Sequence, residues 1–229
     1  MTKDNRLIWF KGKMVGLNDA KVNVLSPTSQ FGINVFEGLR GYLSSDSKKL
    51  NIFRLDDHIN RLLNSMKIVR FNHDFKREYL KTSLIKSVRA NNFFDDIAIR
   101  QTVFLDGHGS WFSVHPVEMF IAPILKKRFL SIDKKGIHMC VSSWHRIDDN
   151  TLPPRVKLGS NYANSRLNQI EAISNNFDMG IFLNSKGKIS EAPGACIFIV
   201  SDNNLITPKT TDSILESITR DTIVQFCKD

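Results

Sequence analysis

The sequence predicts a mixed α/β (α+β) fold in two domains, and three observations carry that prediction. Short apolar, strand-like runs alternate with stretches of helical periodicity along the whole chain. A charged segment, from Lys126-Lys127-Arg128-Phe129 to Lys135, breaks the pattern near the middle. At 229 residues and 41% hydrophobic, the chain can bury a core on either side of that break. The expected division is a small N-terminal α/β domain over 1–125, a connection over 126–135 and a second domain over 136–229.

In chain order, Leu7 to Val15 reads as a hairpin, with apolar runs on either side of Lys11-Gly12-Lys13. Val22 to Leu25 is expected as a short strand closed by Ser26-Pro27. Phe31 to Tyr42 has strand character, and Gly38 and Gly41 lie close to Arg40; glycine in a strand marks a bulge or close backbone approach. Leu50 to Arg54 is a further strand. A helix follows over about 55–69, with Ile59, Leu62, Leu63 and Met66 at i, i+3, i+4, i+7 as its buried face. Asp56 and Asp57 suit its N-terminal dipole. His58 and Arg61, three residues apart, share one side of this helix, either as a functional pair or as a solvated face. A second helix over about 76–90 buries Leu80, Leu84, Ile85 and Val88.

Ile97–Leu105 and Val117–Leu125 are strands joined by a glycine-rich connection, Asp106 to Trp111, read as a mobile substrate loop or a wide hairpin. Ile137–Ser142 opens the second domain. Then comes Pro154-Arg155-Val156-Lys157-Leu158-Gly159-Ser160-Asn161-Tyr162, read as a β-like run ending on a lysine before a turn. A helix over about 164–175 follows. Met179–Leu183 and Lys188–Ser190 form a hairpin around Asn184-Ser185-Lys186-Gly187. Ala195–Val200 and Leu205–Thr207 form another around Asp202-Asn203-Asn204. Ser217 caps a last helix that runs to Cys227, with Ile218, Ile223 and Phe226 expected inward.

Composition narrows the function. The net charge of +9 admits an anionic partner, but the basic residues are scattered among acidic ones, with no arm-like block and no aromatic-basic groove signature. No nucleic acid is expected as partner. Cys140, Cys196 and Cys227 are odd in number and widely spaced, so neither a disulfide framework nor a zinc site follows and a cytoplasmic location is expected. No signal-peptide core or membrane-spanning run is present in the sequence, so no membrane partner is expected. The six histidines show no metal-ligand spacing, and no metal is expected. Lysine is the side chain that forms Schiff bases with carbonyls when its amine is freed of its proton, which makes Lys157 the leading candidate for chemistry.

Lys157 with Tyr162, then Gly187-Lys188-Ile189-Ser190-Glu191-Ala192-Pro193-Gly194, then Ser217-Ile218-Thr219-Arg220-Asp221, resemble the class IV pyridoxal-phosphate aminotransferases. That family includes branched-chain amino acid aminotransferases, D-amino acid aminotransferases and aminodeoxychorismate lyase. Phe36-Glu37-Gly38-Leu39-Arg40 and His58-Ile59-Asn60-Arg61 resemble the branched-chain group most closely. The resemblance runs from about Leu7 to the last residue. It implies a fold-type IV enzyme, with a small α/β N-terminal domain and a larger, barrel-like C-terminal domain, working as a homodimer.

The resemblance also implies residue roles. Lys157 would hold pyridoxal 5'-phosphate as a Schiff base and then act as general acid and base. Glu191 would pair with the pyridine nitrogen, and Tyr162 would bond the phenolic oxygen. Arg61, Thr219 and the N–H groups of Ile218 and Thr219 would hold the phosphate, with Gly194 leaving room for the ring or phosphate. Arg40 and Arg100 would recognise the distal carboxylate of glutamate, and Phe36 and Gly38 would line the substrate pocket. Amino acid and 2-oxo acid would be the small-molecule partners.

Three departures stand out. Phe31 and Ala98 occupy positions where the branched-chain pattern has tyrosines, and Glu216-Ser217 stands where Pro-Gly is frequent. Family chains also continue beyond the point where this one stops, so the C-terminal domain is expected to be incomplete. A lyase with the same lysine and glutamate, and a non-catalytic binding member, are the alternative readings.

Overall fold

The computed structural model describes residues 5–46, 49–127 and 136–228. The chain divides into two compact units, Met1–Leu130 and Ser131–Asp229. Of the expected connection, residues 128–135 lie outside the described residues. Lys126 and Lys127 belong to the first unit, where their carbonyls accept hydrogen bonds from Arg40 Nη2 at 2.6 and 3.1 Å.

The first unit is built on an antiparallel sheet. Its strands are β1 (Leu7–Phe10), β2 (Lys13–Gly16), β3 (Asn34–Leu43), β4 (Leu50–Ile52), β5 (Ile97–Leu105) and β6 (Val117–Leu125), in the spatial order β2-β1-β6-β5-β3-β4. The strand expected at Val22–Leu25 does not form. The Ser26 hydroxyl instead accepts the Ser29 N–H at 3.3 Å and Pro27 takes the first helical position, opening the short helix α1 (Pro27–Phe31). Val24 and Leu25 are exposed, so their β-propensity finds no neighbour to pack against.

Two helices follow the expected periodicity, α2 (Leu55–Ile68) and α3 (Arg77–Ala90). Ile59, Leu62, Met66, Leu80 and Leu84 have no exposed surface, while Leu63 and Ile85 are half-buried at the edge of the stripe. Burying each such side chain stabilises the fold by about 1.5–3 kcal/mol. α2 packs on β3, and α3 on β1, β6 and α2.

The register of β3 against β5 decides which of the expected substrate residues share a face. Phe36 faces Thr102, Gly38 faces Arg100 and Arg40 faces Ala98. Alternate residues share a face, so Phe36, Gly38, Arg40 and Arg100 lie on one side of the sheet. Val35, Glu37 and Leu39 lie on the other, toward α2, and all three are buried.

In the second unit, β7 (Met139–Val141) pairs in parallel with β8 (Met179–Ile181), and the connection between them includes α4 (Asn161–Ser174). Helix and strand meet closely at Gly180, where an added Cβ would stand 2.2 Å from Asn168 Oδ1. Beyond β8 the expected hairpin forms around Asn184: Phe182 N–H donates to the Glu191 carbonyl and Ser190 N–H to that of Phe182, each at 2.9 Å. A second hairpin joins β9 (Ile199–Ser201) to β10 (Asn204–Ile206) through Asp202 and Asn203, both with positive φ. The last helix is α5 (Ile218–Phe226), capped by Ser217, whose hydroxyl accepts the Arg220 N–H at 3.2 Å.

Three expectations are corrected in this unit. α4 begins at Asn161, three residues before the expected start, because the Gly159-Ser160 turn leads straight into it. Lys157 lies at a bend between the turn at 154–155 and a single bridging residue, Leu158, rather than at the end of a strand; the prolines at 153 and 154 favour turn geometry. Phe226 is 74% exposed rather than inward, whereas Ile218 is buried and Ile223 half-buried.

Candidate active site

The turn that carries Lys157 is held from α4. Asn161, 2% exposed, donates through Nδ2 to the carbonyls of Pro153 (3.2 Å) and Val156 (3.1 Å). Leu158 N–H donates to the Val156 carbonyl at 2.8 Å, which draws the backbone into a tight bend at Lys157. Val156 and Leu158 are both buried, so apolar anchors flank the lysine on each side. The half-buried amine donates to the Tyr162 hydroxyl at 2.7 Å, bridging the turn and the first turn of α4.

Glu191 follows the Asn184 hairpin and is 7% exposed. Its Oε2 accepts the Leu215 N–H at 3.0 Å, and its Oε1 lies 2.8 Å from Arg146 Nε. That N–H is not aligned along the contact, so the pair is a close charge contact and Arg146 Nε is left without a hydrogen-bond partner. Burial pushes the Glu191 carboxyl above its ordinary range; the charge of Arg146, the bond from the Leu215 N–H and the charge of Lys157 only partly offset this.

Lys157, Tyr162, Glu191 and Gly194 all line one cavity, together with Arg146, Asn161 and Ser217. Gly194 has φ +82°, a conformation that favours glycine, although a Cβ there would meet nothing within 4 Å among its neighbours. Ile218 and Thr219 do not line the cavity. They form the first turn of α5 directly after Ser217, with Thr219 exposed. Pyridoxal phosphate, the group implied by the resemblance, fits this donor set. A primary amine meets a need for imine formation, and a buried carboxylate suits a basic ring nitrogen. Asn161 Oδ1 and Arg146 Nε are buried polar atoms without a hydrogen-bond partner, as expected at a wall built for a polar ligand.

The remaining expected residues lie in the first unit. Glu37 has no exposed surface and accepts from Arg61 Nε and Nη2 and from His58 Nδ1, each at 2.7 Å. Burial works against this carboxylate, but the hydrogen bonds and charges of Arg61 and His58 outweigh it and hold the carboxyl below its ordinary range. His58 and Arg61 thus turn toward the sheet, not to a solvated helix face. Arg100 places its guanidinium 4.1 Å from the Phe36 ring centroid, joining a cation to an apolar wall. Gly38 is exposed beside them, and Arg40 spends hydrogen bonds on the carbonyls of residues 126 and 127.

Arg146 was not legible as a candidate in the sequence. It stands alone in a loop, far along the chain from Glu191, and only the fold brings the two together. Asn161 carried a partial signal, as the last residue of the Gly-Ser-Asn turn.

The comparisons agree with one another. The chain is 37% identical to a branched-chain-amino-acid aminotransferase of Salmonella typhimurium over 233 residues, covering 100% of this chain and 74% of that protein. It superposes on a branched-chain aminotransferase from Thermoproteus uzoniensis, solved with norvaline, with a TM-score of 0.92 at 35% identity, covering 98% of this chain and 75% of that one. For the branched-chain amino acid aminotransferase of Thermobaculum terrenum in its PLP form the TM-score is also 0.92, at 36% identity over 100% of this chain and 75% of that one. The model of the family described as amino-transferase class IV matches residues 34–229, and the chain belongs to that family.

Proposed function

We propose that this protein is a pyridoxal-phosphate-dependent aminotransferase that moves an amino group between branched-chain or other apolar amino acids and 2-oxo acids, with glutamate and 2-oxoglutarate as co-substrate pair. The observation that carries this is the single cavity ringed by the Lys157 amine, the Tyr162 hydroxyl and the buried Glu191 carboxylate. The names of the relatives support the substrate class.

Lys157 would hold the cofactor by its aldehyde carbon, Glu191 by its ring nitrogen and Tyr162 by its phenolic oxygen. Arg61, Ile218, Thr219 and Gly194 are proposed for the phosphate end. When bound, the cofactor supplies a carbonyl for the amino group and a ring that accepts the electron pair released at the substrate's Cα. Lys157 Nζ would serve as the base that takes the Cα proton and returns it. Tyr162 orients that amine by accepting its hydrogen bond. On the substrate side, Phe36 and Gly38 would bound the apolar pocket, and Arg100, stacked over Phe36, would meet glutamate's second carboxylate with Arg40. Phe31 and Ala98 stand where the branched-chain pattern has tyrosines, so the side chains preferred by that pocket would differ from the pattern's.

We further propose a homodimer in the cytoplasm, with a small N-terminal domain over 1–125 and the cofactor-binding domain over 136–229. The three cysteines are free thiols, in keeping with a reducing compartment. Among the described residues, no helix is long and apolar enough to cross a membrane.

The test is the visible spectrum of the full chain with added pyridoxal phosphate, for wild type and Lys157→Ala, before and after L-leucine or L-glutamate. The proposal expects a lysine-linked band in wild type only, converted to the amine form of the cofactor by either amino acid. Absence of the band in wild type, or indifference to both amino acids, overturns it.

A further inference from the structure

Arg146 is a buried cation with no role so far. Its side chain is 6% exposed, yet the described partners use little of its fork. Nη1 donates to Asn164 Oδ1 on α4 at 3.2 Å, and the backbone N–H donates to the Leu183 carbonyl at 2.8 Å. The guanidinium carbon sits 5.5 Å from the Phe182 ring centroid, and Nε approaches Glu191 to 2.8 Å while aimed elsewhere. A buried guanidinium held by so few aligned bonds is retained where its charge has a use, and the carboxylate it faces is Glu191.

The groups that act on Glu191 define that use. They are Arg146, the Leu215 N–H and, by charge alone, Lys157. Lys157 loses its positive charge whenever its amine is free for chemistry, and a backbone N–H carries no net charge. Arg146 is then the permanent cation beside this carboxylate. We propose that Arg146 is a positioning residue that keeps Glu191 ionised in its buried site, so that a bound pyridine nitrogen stays protonated through each change of charge at Lys157. This rests on the cofactor reading above. Burial's upward push on the Glu191 carboxyl agrees with the need for such a cation.

Two measurements separate this inference from the reading beneath it. In the cofactor-free protein, the Glu191 carboxyl is followed by infrared titration, assigned by difference against Glu191→Gln. Its midpoint is expected to move to higher pH in Arg146→Met and to return most of the way in Arg146→Lys, which restores charge without the fork. With 15N-labelled pyridoxal phosphate bound, the ring-nitrogen resonance of Arg146→Met is expected to shift toward the unprotonated form at neutral pH, and the half-reaction with L-leucine to slow roughly tenfold. An unmoved carboxyl midpoint, or an unchanged ring-nitrogen resonance, overturns the role of Arg146 while a Lys157-dependent band leaves the cofactor reading standing. Absence of that band from wild type overturns both. Should Arg146→Met fail to fold, Arg146→Gln carries the same two readouts, and a wild-type midpoint and resonance in that variant overturn the role.

Discussion

Glu37 and Glu191 are both buried carboxylates beside an arginine, yet their surroundings push them in opposite directions. Glu37 receives three hydrogen bonds at 2.7 Å from two cationic-type side chains, two of them from the fork of Arg61. Glu191 receives one backbone bond and a misaligned guanidinium. The count and aim of donors decide the outcome, since burial acts against the charge at both sites. One carboxylate is fully committed to holding the fold; the other accepts fewer bonds, which would suit its proposed role toward a ligand.

The comparison can be broken by substitution. Glu37→Leu is expected to cost about 3–5 kcal/mol in urea unfolding, because Arg61 is left uncompensated. Glu191→Gln is expected to cost less, about 1–2 kcal/mol, because Arg146 loses its charge partner while the neutral amide can still accept the Leu215 N–H. Equal losses would show that the two sites do not differ in kind.

A middle-sized effect comes from His58→Gln, which trades a charge-capable donor for a neutral one. It is expected to cost about 1.5–3 kcal/mol and to raise the Glu37 carboxyl toward the behaviour of Glu191. Unchanged urea stability would place the whole burden on Arg61.

Acid and base titration of stability should separate the two further. The Glu37 carboxyl is lowered in the fold, so its contribution is present above the unfolded value and is lost as pH falls through the folded one. The Glu191 carboxyl is raised, so its contribution is present below the unfolded value and is lost as pH rises through the folded one. Stability measured against pH for Glu37→Gln should lose the first slope and for Glu191→Gln the second. A Glu191→Gln profile parallel to wild type would contradict the assignment. The smallest effect is expected from Asn164→Ala, about 1 kcal/mol or less, acting on the Glu191 side alone.

Much of this was readable from the chain. β5 and β6 have the bounds their apolar runs suggested, and the stripe of Ile59, Leu62 and Met66 marks the face that α2 buries. Those segments are long, and their period is set by burial on one face. Short segments were less legible. Val22–Leu25 looked like a strand but lost to the Ser26 cap, and Phe226 fits a helical stripe with no described surface to cover it. At the site, Lys157 and Tyr162 are five residues apart and one turn joins them. Arg146 and Glu191 meet only through β7, β8 and the Asn184 hairpin, a juxtaposition that no local pattern encodes.

Asn161 ties the backbone of residues 153–156 to the start of α4 with a single side-chain amide. Lys157 therefore stands on a fixed mount. In the proposed role, where its amine would leave one bond for another, only the four-carbon side chain would have to swing, and the loop beneath it would have nothing to relearn. A lysine that must let go and return would gain speed from such a mount, because the same starting geometry would be restored each time without a search.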